Sequence, residues 1–165
     1  MHGPRSGPSR AASSARAKGA WLSSDRGRSA LDATLLIVEH YRNQRLLMEE
    51  ELACEGFRTV SAANVAEALD RLGADTPDLV VLDLHLAGKD GHALLKRIAE
   101  RHPRPASVIY TADASFHQTF TPRHADACVL KSSDLGKLVA IIRQLLAGRR
   151  ADGQPAARQA AAIPA

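Results

Sequence analysis

Four apolar runs in this chain end on side chains that can do chemistry. LLIV at 35–38 is followed by Glu39 and His40. DLVVLDL at 78–84 carries Asp83 near its end, SVIYT at 107–111 closes on Thr111, and ACVL at 127–130 is followed by Lys131. An aspartate can attack phosphorus and form an acyl phosphate, provided that a metal ion and cationic donors neutralise the charge developing on the phosphoryl oxygens. Lys131 supplies a cation, Thr111 a hydroxyl, and the Glu39 and His40 corner a seat for a divalent metal beside Asp83. Taken singly, a strand-end Lys or Thr is ordinarily just solvated, and Asp83 would serve equally well to cap a turn. The signal is that four runs end this way.

Such residues meet only if something brings the run ends to one edge. In an open α/β sheet, ligands bind beyond the carboxyl ends of the strands. The runs, with FRTVS at 57–61 as a fifth, are too short for helices and several are unbroken apolar stretches, as expected of parallel strands covered on both faces. Helix-period segments lie between them. Residues 44–55 end at Gly56, a suitable residue beyond a helix C-terminus. Asn64 with Glu67 three residues later forms a capping box. Residues 91–101 repeat the period through Leu94, Leu95 and Ile98, with Asp90 as N-cap. The last segment runs from about Asp134 to Gly148, with Ser133 as cap. The fourth slot, SFHQTFTPRH at 115–124, breaks the pattern with Pro122 and β-branched and aromatic residues, and predicts a short or distorted helix. A strand–helix unit repeated five times implies right-handed crossovers and an α/β fold: a single doubly wound, parallel, five-stranded sheet flanked by helices.

With 165 residues there is room for one domain of ordinary size, which the pattern places at residues 33–148. The net charge of +4 sits in the flanks. Residues 1–32 hold Arg5, Arg10, Arg16, Lys18, Arg26 and Arg28 against Asp25 and Asp32, and residues 149–165 hold Arg149, Arg150 and Arg158 against Asp152, which leaves the middle mildly acidic. Residues 1–32 are predicted to be a disordered basic extension and 149–165 a disordered tail. An organellar transit peptide is the alternative for the start. Cys54 and Cys128 read as reduced core thiols. No apolar run approaches the roughly 18 residues that span a bilayer, so the expectation is a cytoplasmic protein with no membrane segment.

At this point the residues resemble a known family, the receiver domain of two-component response regulators, a flavodoxin-like fold, over roughly Thr34 to Gly148. The most specific segment is PDLVVLDLHLAGKDGHALL, from Pro77 to Leu95, which looks like the family's phosphoacceptor strand and following loop, with Gly88, Asp90 and Gly91 at the family spacing. The resemblance implies that Asp83 is phosphorylated, that Thr111 is the switch hydroxyl and that Lys131 contacts the phosphoryl group. It also implies that Ala112 leaves access beside the phosphate and that His85 offers its backbone carbonyl to Mg²⁺ held with Glu39 and Asp83.

Four positions depart from the family pattern. Where a second acid is usual stands His40, Ala87 replaces a proline, Cys128 replaces the aromatic switch residue, and Ser132 follows the lysine in place of a proline. Without proline a cis bond costs about 2.5–4 kcal/mol, so that loop is predicted to be trans. Mg²⁺ takes oxygen ligands, and loss of one anionic ligand weakens its binding. Three readings of His40 stay open: a ligand for Mn²⁺ or Zn²⁺, a bystander that leaves Glu39, Asp83 and water to hold the metal, or, when protonated, a charge partner of Asp83.

The implied function is a stand-alone phosphorelay receiver, not an enzyme beyond self-phosphorylation and autodephosphorylation. It would accept phosphate from a phosphohistidine on a sensor histidine kinase or phosphotransfer protein. The roughly 17 residues after Gly148 are too few for a DNA-binding domain, so output is expected through protein contacts without specific DNA binding. In the family these favour the face of the fourth helix, fifth strand and last helix. The alternative is a pseudo-receiver, an interaction module not controlled by phosphorylation. A phosphatase of the haloacid dehalogenase type would want two aspartates around one residue on its first core strand, and here Asp83, Leu84 and His85 follow the third. A metal cluster of Asp83, His85 and His92 competes with the simpler reading of scattered surface histidines.

Overall fold

A computed structural model describes residues 33–86, 89–119 and 125–151. The expectations for residues 1–32, for Ala87, Gly88 and Pro122, for the Asp90 side chain and for 152–165 lie outside what it describes. The elements are β1 (Thr34–Val38), α1 (Arg42–Cys54), β2 (Arg58–Ala62), α2 (Val65–Ala74), β3 (Leu79–Leu82), β4 (His85–Leu86), β5 (Lys89–Asp90), α3 (Gly91–Ala99), β6 (Ala106–Thr111), α4 (Ala114–Thr119), β7 (Ala127–Leu130) and α5 (Gly136–Ala151). Five strands form one parallel sheet in the order β2-β1-β3-β6-β7. This is the doubly wound α/β sheet that the alternation of segments predicts, and β4 and β5 add a small antiparallel hairpin.

Alternate residues of the central strands feed two cores, as the period of two requires. Leu35, Ile37, Leu79, Val81 and Val108 face Met48 and Leu52 of α1 and Leu138 and Ile142 of α5. Leu36, Val38, Val80, Leu82 and Ile109 face Ala68 and Leu72 of α2 and Leu94 and Ile98 of α3. Both faces of the central strands β1, β3 and β6 are therefore dry, while the edge strand β2 is partly exposed along its length.

Several helix ends follow the sequence closely. Gly56 takes φ 92° after α1, a conformation glycine adopts without a Cβ penalty. Asn64 Oδ1 accepts from the Glu67 N–H at 3.0 Å, and Glu67 Oε2 accepts from the Ala63 N–H at 2.8 Å. Within the described residues α4 is short, at six residues. Other details differ. The start of α5 is held by Asp134, whose Oδ1 accepts from the Gly136 N–H at 2.7 Å, and not by Ser133; a carboxylate is the stronger acceptor for a helix N-terminus. α3 stops at Ala99, short of residue 101, and α5 runs past Gly148 to Ala151, so Arg149 belongs to the fold and not to a tail. Cys54 is exposed and Cys128 half-buried, both free. Cys54 falls on the solvent side of α1 because it lies two positions, about 200° of helical turn, from the inward Leu52.

Gly91 begins α3 against the loop that leaves β3. A Cβ built there would lie 2.7 Å from the Leu84 carbonyl oxygen and 2.8 Å from its Cα, so backbone would have to move. Gly91→Ala is expected to lower stability by about 1–3 kcal/mol through this overpacking, read as a lower urea midpoint with an unchanged m-value.

Candidate functional site

The ladder continues one residue beyond the strands and so fixes the site. The Glu39 N–H donates to the Ala62 carbonyl at 3.1 Å, the Asp83 N–H to Val38 at 3.0 Å, and the Lys131 N–H to Thr111 at 2.6 Å. Since β1 and β3 are parallel neighbours in register, Glu39 and Asp83 emerge side by side. Both are buried, at 1% and 5% exposure. Two adjacent buried carboxylates need positive charge. It comes from the far edge of the sheet: Lys131 Nζ donates to Glu39 Oε2 at 2.6 Å, to Asp83 Oδ2 at 2.7 Å and to Gln44 Oε1 at 2.9 Å. Burial works to lower the Lys131 pKa, but its hydrogen bonds to Asp83 and Glu39 and their charges prevail and hold it above the usual lysine value. The ammonium therefore stays charged throughout the neutral range.

The remaining carboxylate oxygens are held by backbone. Asp83 Oδ1 accepts from the His85 N–H at 3.0 Å, and Glu39 Oε1 from the Tyr41 N–H at 2.9 Å. Thr111 is fully buried, and its Oγ1 accepts from the Asp113 N–H at 3.1 Å; Ala112 beside it is exposed. Asp113 in turn caps α4, accepting from the Ser115 and Phe116 N–H groups at 2.9 and 3.0 Å. Cys128 lies on β7 opposite Ile109 and packs toward the α2 and α3 side, where burial pushes its thiol up to about 11. Across the sheet the Tyr110 hydroxyl meets the Ser132 backbone at 3.3 Å. The peptide after Lys131 is trans, since the one cis bond among the described residues joins His102 and Pro103.

His40 turns into the site. One ligand atom from each of Glu39, His40 and Asp83 lies within 4.8 Å of the others, the one such three-residue grouping among the described residues. Its Nδ1 is buried without a hydrogen-bond partner, 3.5 Å from Glu39 Oε1. The carboxylate at ion-pair distance is thus Glu39, not the Asp83 of the charge-partner reading. The two carboxylates and this orphaned nitrogen make a donor set that fits a small divalent cation. His85 sits nearby, Nδ1 3.8 Å from Asp83 Oδ1, but is exposed. His92 is carried away on α3 against Phe116, so Asp83, His85 and His92 do not gather.

Three residues escaped the sequence reading. Gln44 takes the third Lys131 bond. Arg45 Nη1 donates to the Glu39 carbonyl at 2.8 Å and the His40 carbonyl at 3.4 Å. The Tyr41 ring lies 3.7 Å from the imidazole. Their only signal was position, within two turns of a strand end.

Residues 35–143 match the family model described as the response regulator receiver domain. Among curated proteins, the chain is 30% identical over 121 residues to the DNA-binding transcriptional regulator NtrC of Escherichia coli, covering 72% of this chain and 26% of that one. It is 37% identical over 82 residues to sporulation initiation phosphotransferase F of Bacillus subtilis, covering 50% and 66%. The chain thus spans about a quarter of the length of the NtrC relatives. Among solved structures it is similar to response regulator TrrA of Thermotoga maritima in complex with Mg²⁺-BeF, with TM-score 0.63, 28% identity and coverage of 68% of this chain and 97% of that one. A second structure, of the histidine kinase ThkA in complex with TrrA, matches with TM-score 0.62, 28% identity and the same coverages.

Proposed function

The chain belongs to the response regulator receiver domain family, and on that premise we propose that it accepts a phosphoryl group from a partner phosphohistidine onto Asp83 and thereby alters its binding to another protein. The observation that carries this reading is the single ammonium of Lys131 bonded to both Glu39 and Asp83, at 2.6 and 2.7 Å. It supports the reading because a buried carboxylate that could act as nucleophile meets a fixed cation at the carboxyl ends of the strands. One Asp83 oxygen forms the new bond to phosphorus as the bond to the donor imidazole nitrogen breaks, and that imidazole leaves neutral. In this reading Lys131 and Thr111 would meet phosphoryl oxygens, and the small exposed Ala112 would leave room for approach. A divalent ion, Mg²⁺ or Mn²⁺, bound by Glu39, Asp83 and the His85 carbonyl would add positive charge where negative charge develops.

The switch would run through Thr111 and Cys128, because Cys128 stands where the aromatic reporter is usual and sits half-buried on β7. The donor fits a sensor histidine kinase or phosphotransfer protein, consistent with the kinase complex of TrrA. Output through protein contacts in a cytoplasmic setting completes the proposal. No helix among the described residues is long and apolar enough to cross a membrane.

Treatment with a small phosphodonor and Mg²⁺ or Mn²⁺ is expected to add one phosphoryl mass to the intact wild-type chain and none to Asp83→Asn. If wild type gains nothing with either ion, the chain is an interaction module outside phosphorylation control.

A further inference from the structure

We propose that His40 is a metal ligand through Nδ1, and that this imidazole shifts the selectivity of the centre from Mg²⁺ toward Mn²⁺. The inference rests on the divalent site of the preceding reading and adds to it a ligand and a preference. Three features of the corner support it. First, Nδ1 points inward: it is buried, makes no hydrogen bond and lies 3.5 Å from Glu39 Oε1, and the imidazole offers a ring nitrogen within 4.8 Å of ligand atoms of both Glu39 and Asp83. A buried polar nitrogen without a partner costs free energy, and a metal ion would take up its lone pair.

Second, the ring is held. Tyr41 lies against it at 3.7 Å, and Arg45 ties the carbonyls of Glu39 and His40 to α1. The Tyr41 N–H occupies Glu39 Oε1 at 2.9 Å, which fixes that carboxylate beside the imidazole. Swinging His40 out to solvent would break up this packing, so the inward pose is built by its neighbours.

Third, the donor chemistry discriminates between ions. Mg²⁺ demands oxygen donors in a near-octahedral shell. Imidazole suits transition ions, which lie above Mg²⁺ in affinity for a nitrogen donor, while carboxylates remain good ligands for Mn²⁺. Two carboxylates with one imidazole therefore favour Mn²⁺ over Mg²⁺. Replacing the imidazole by a carboxylate returns the set to all-oxygen and favours Mg²⁺ again.

The test uses the full chain without phosphodonor, so binding is read apart from phosphorylation. Mn²⁺ and Mg²⁺ affinities are measured by calorimetry for wild type, His40→Asp and His85→Gln, and Mn²⁺-bound samples are read by pulsed EPR for coupling to nitrogen. The expected result is a ¹⁴N coupling in wild type that changes on ¹⁵N-histidine labelling, survives His85→Gln and vanishes in His40→Asp. The ratio of Mn²⁺ to Mg²⁺ affinity should fall by about tenfold or more in His40→Asp. Bound Mn²⁺ without histidine coupling in wild type would overturn the proposal without any variant. So would a coupling lost in His85→Gln, or an affinity ratio unchanged in His40→Asp. Phosphorylation that fails while the coupling is present would sink the phosphoreceiver reading and leave His40 a ligand; absence of divalent binding altogether would overturn the metal centre itself.

Discussion

Lys131→Met is expected to lower unfolding free energy by about 3–5 kcal/mol at neutral pH, the range for removing one partner of a buried ion pair. The methionine keeps much of the stem's volume, so the loss reports charge and not a cavity. Glu39 and Asp83 are nearly inaccessible to water, and each loses a charge-assisted bond, at 2.6 and 2.7 Å. The Lys131 side chain is itself only 16% exposed, so solvent screens little of the effect. The pH dependence has a definite sign. Because the folded-state pKa of Lys131 is raised, its stabilisation is fully present below the unfolded lysine value of about 10.4 and is lost as pH rises through the folded value. Urea titrations from neutral to alkaline pH should therefore show the wild-type advantage constant at first and shrinking only at the alkaline end. A loss below about 1 kcal/mol, the range for an exposed pair, would mean that water and not Lys131 neutralises the two acids.

The second large effect lies at the other end of β7, where the strand begins. Asp126 is buried at 5% exposure. It accepts from the Ser107 N–H at 2.8 Å, from the Ser107 hydroxyl at 3.3 Å and from the Arg104 guanidinium. Arg149 closes the group by donating to the Arg104 carbonyl. Burial, with the nearby Arg104 charge adding to it, lowers the pKa of Arg149, while Asp126 and Asp78 act the other way. Asp126→Ala would leave Arg104 without its carboxylate and take an acceptor from the amide that begins the β6 and β7 pairing. A loss of about 3–5 kcal/mol is expected, with the site edge intact. Asp126→Asn should recover part of it, because a neutral acceptor still reaches the Ser107 N–H. Equal losses for both variants would assign the effect to charge alone.

These two networks show how unevenly the molecule can be read from its sequence. Glu39, Asp83, Thr111 and Lys131 were legible because each follows an apolar run, and a parallel sheet carries run ends to a common edge. The Asn64 cap and Gly56 were legible because their signals are local. Asp126 was not, because Arg104 and Arg149 lie in segments without periodicity and are brought to it by the fold. Gly148 reads as a helix stop and so puts Arg149 in the tail; the helix tolerates that glycine and continues to Ala151. The apolar surroundings of Cys54 suggest an inside position, but the helical period puts it outside. The orientation of His40 depends on Tyr41 and Arg45, and no spacing rule predicts it. The fourth helix, by contrast, is short among the described residues, where the apolar period fails.

The most direct test of the central claim is chemical trapping at the proposed acceptor. Borohydride reduces an acyl phosphate to an alcohol with release of phosphate, so an aspartyl phosphate becomes homoserine. After incubation with phosphodonor and divalent ion, reduction and peptide mapping by mass spectrometry should find homoserine at position 83, and none when the phosphodonor is omitted. Unchanged aspartate at 83, or homoserine at Asp113 or another carboxylate in its place, would contradict the assignment of Asp83 as the phosphoacceptor.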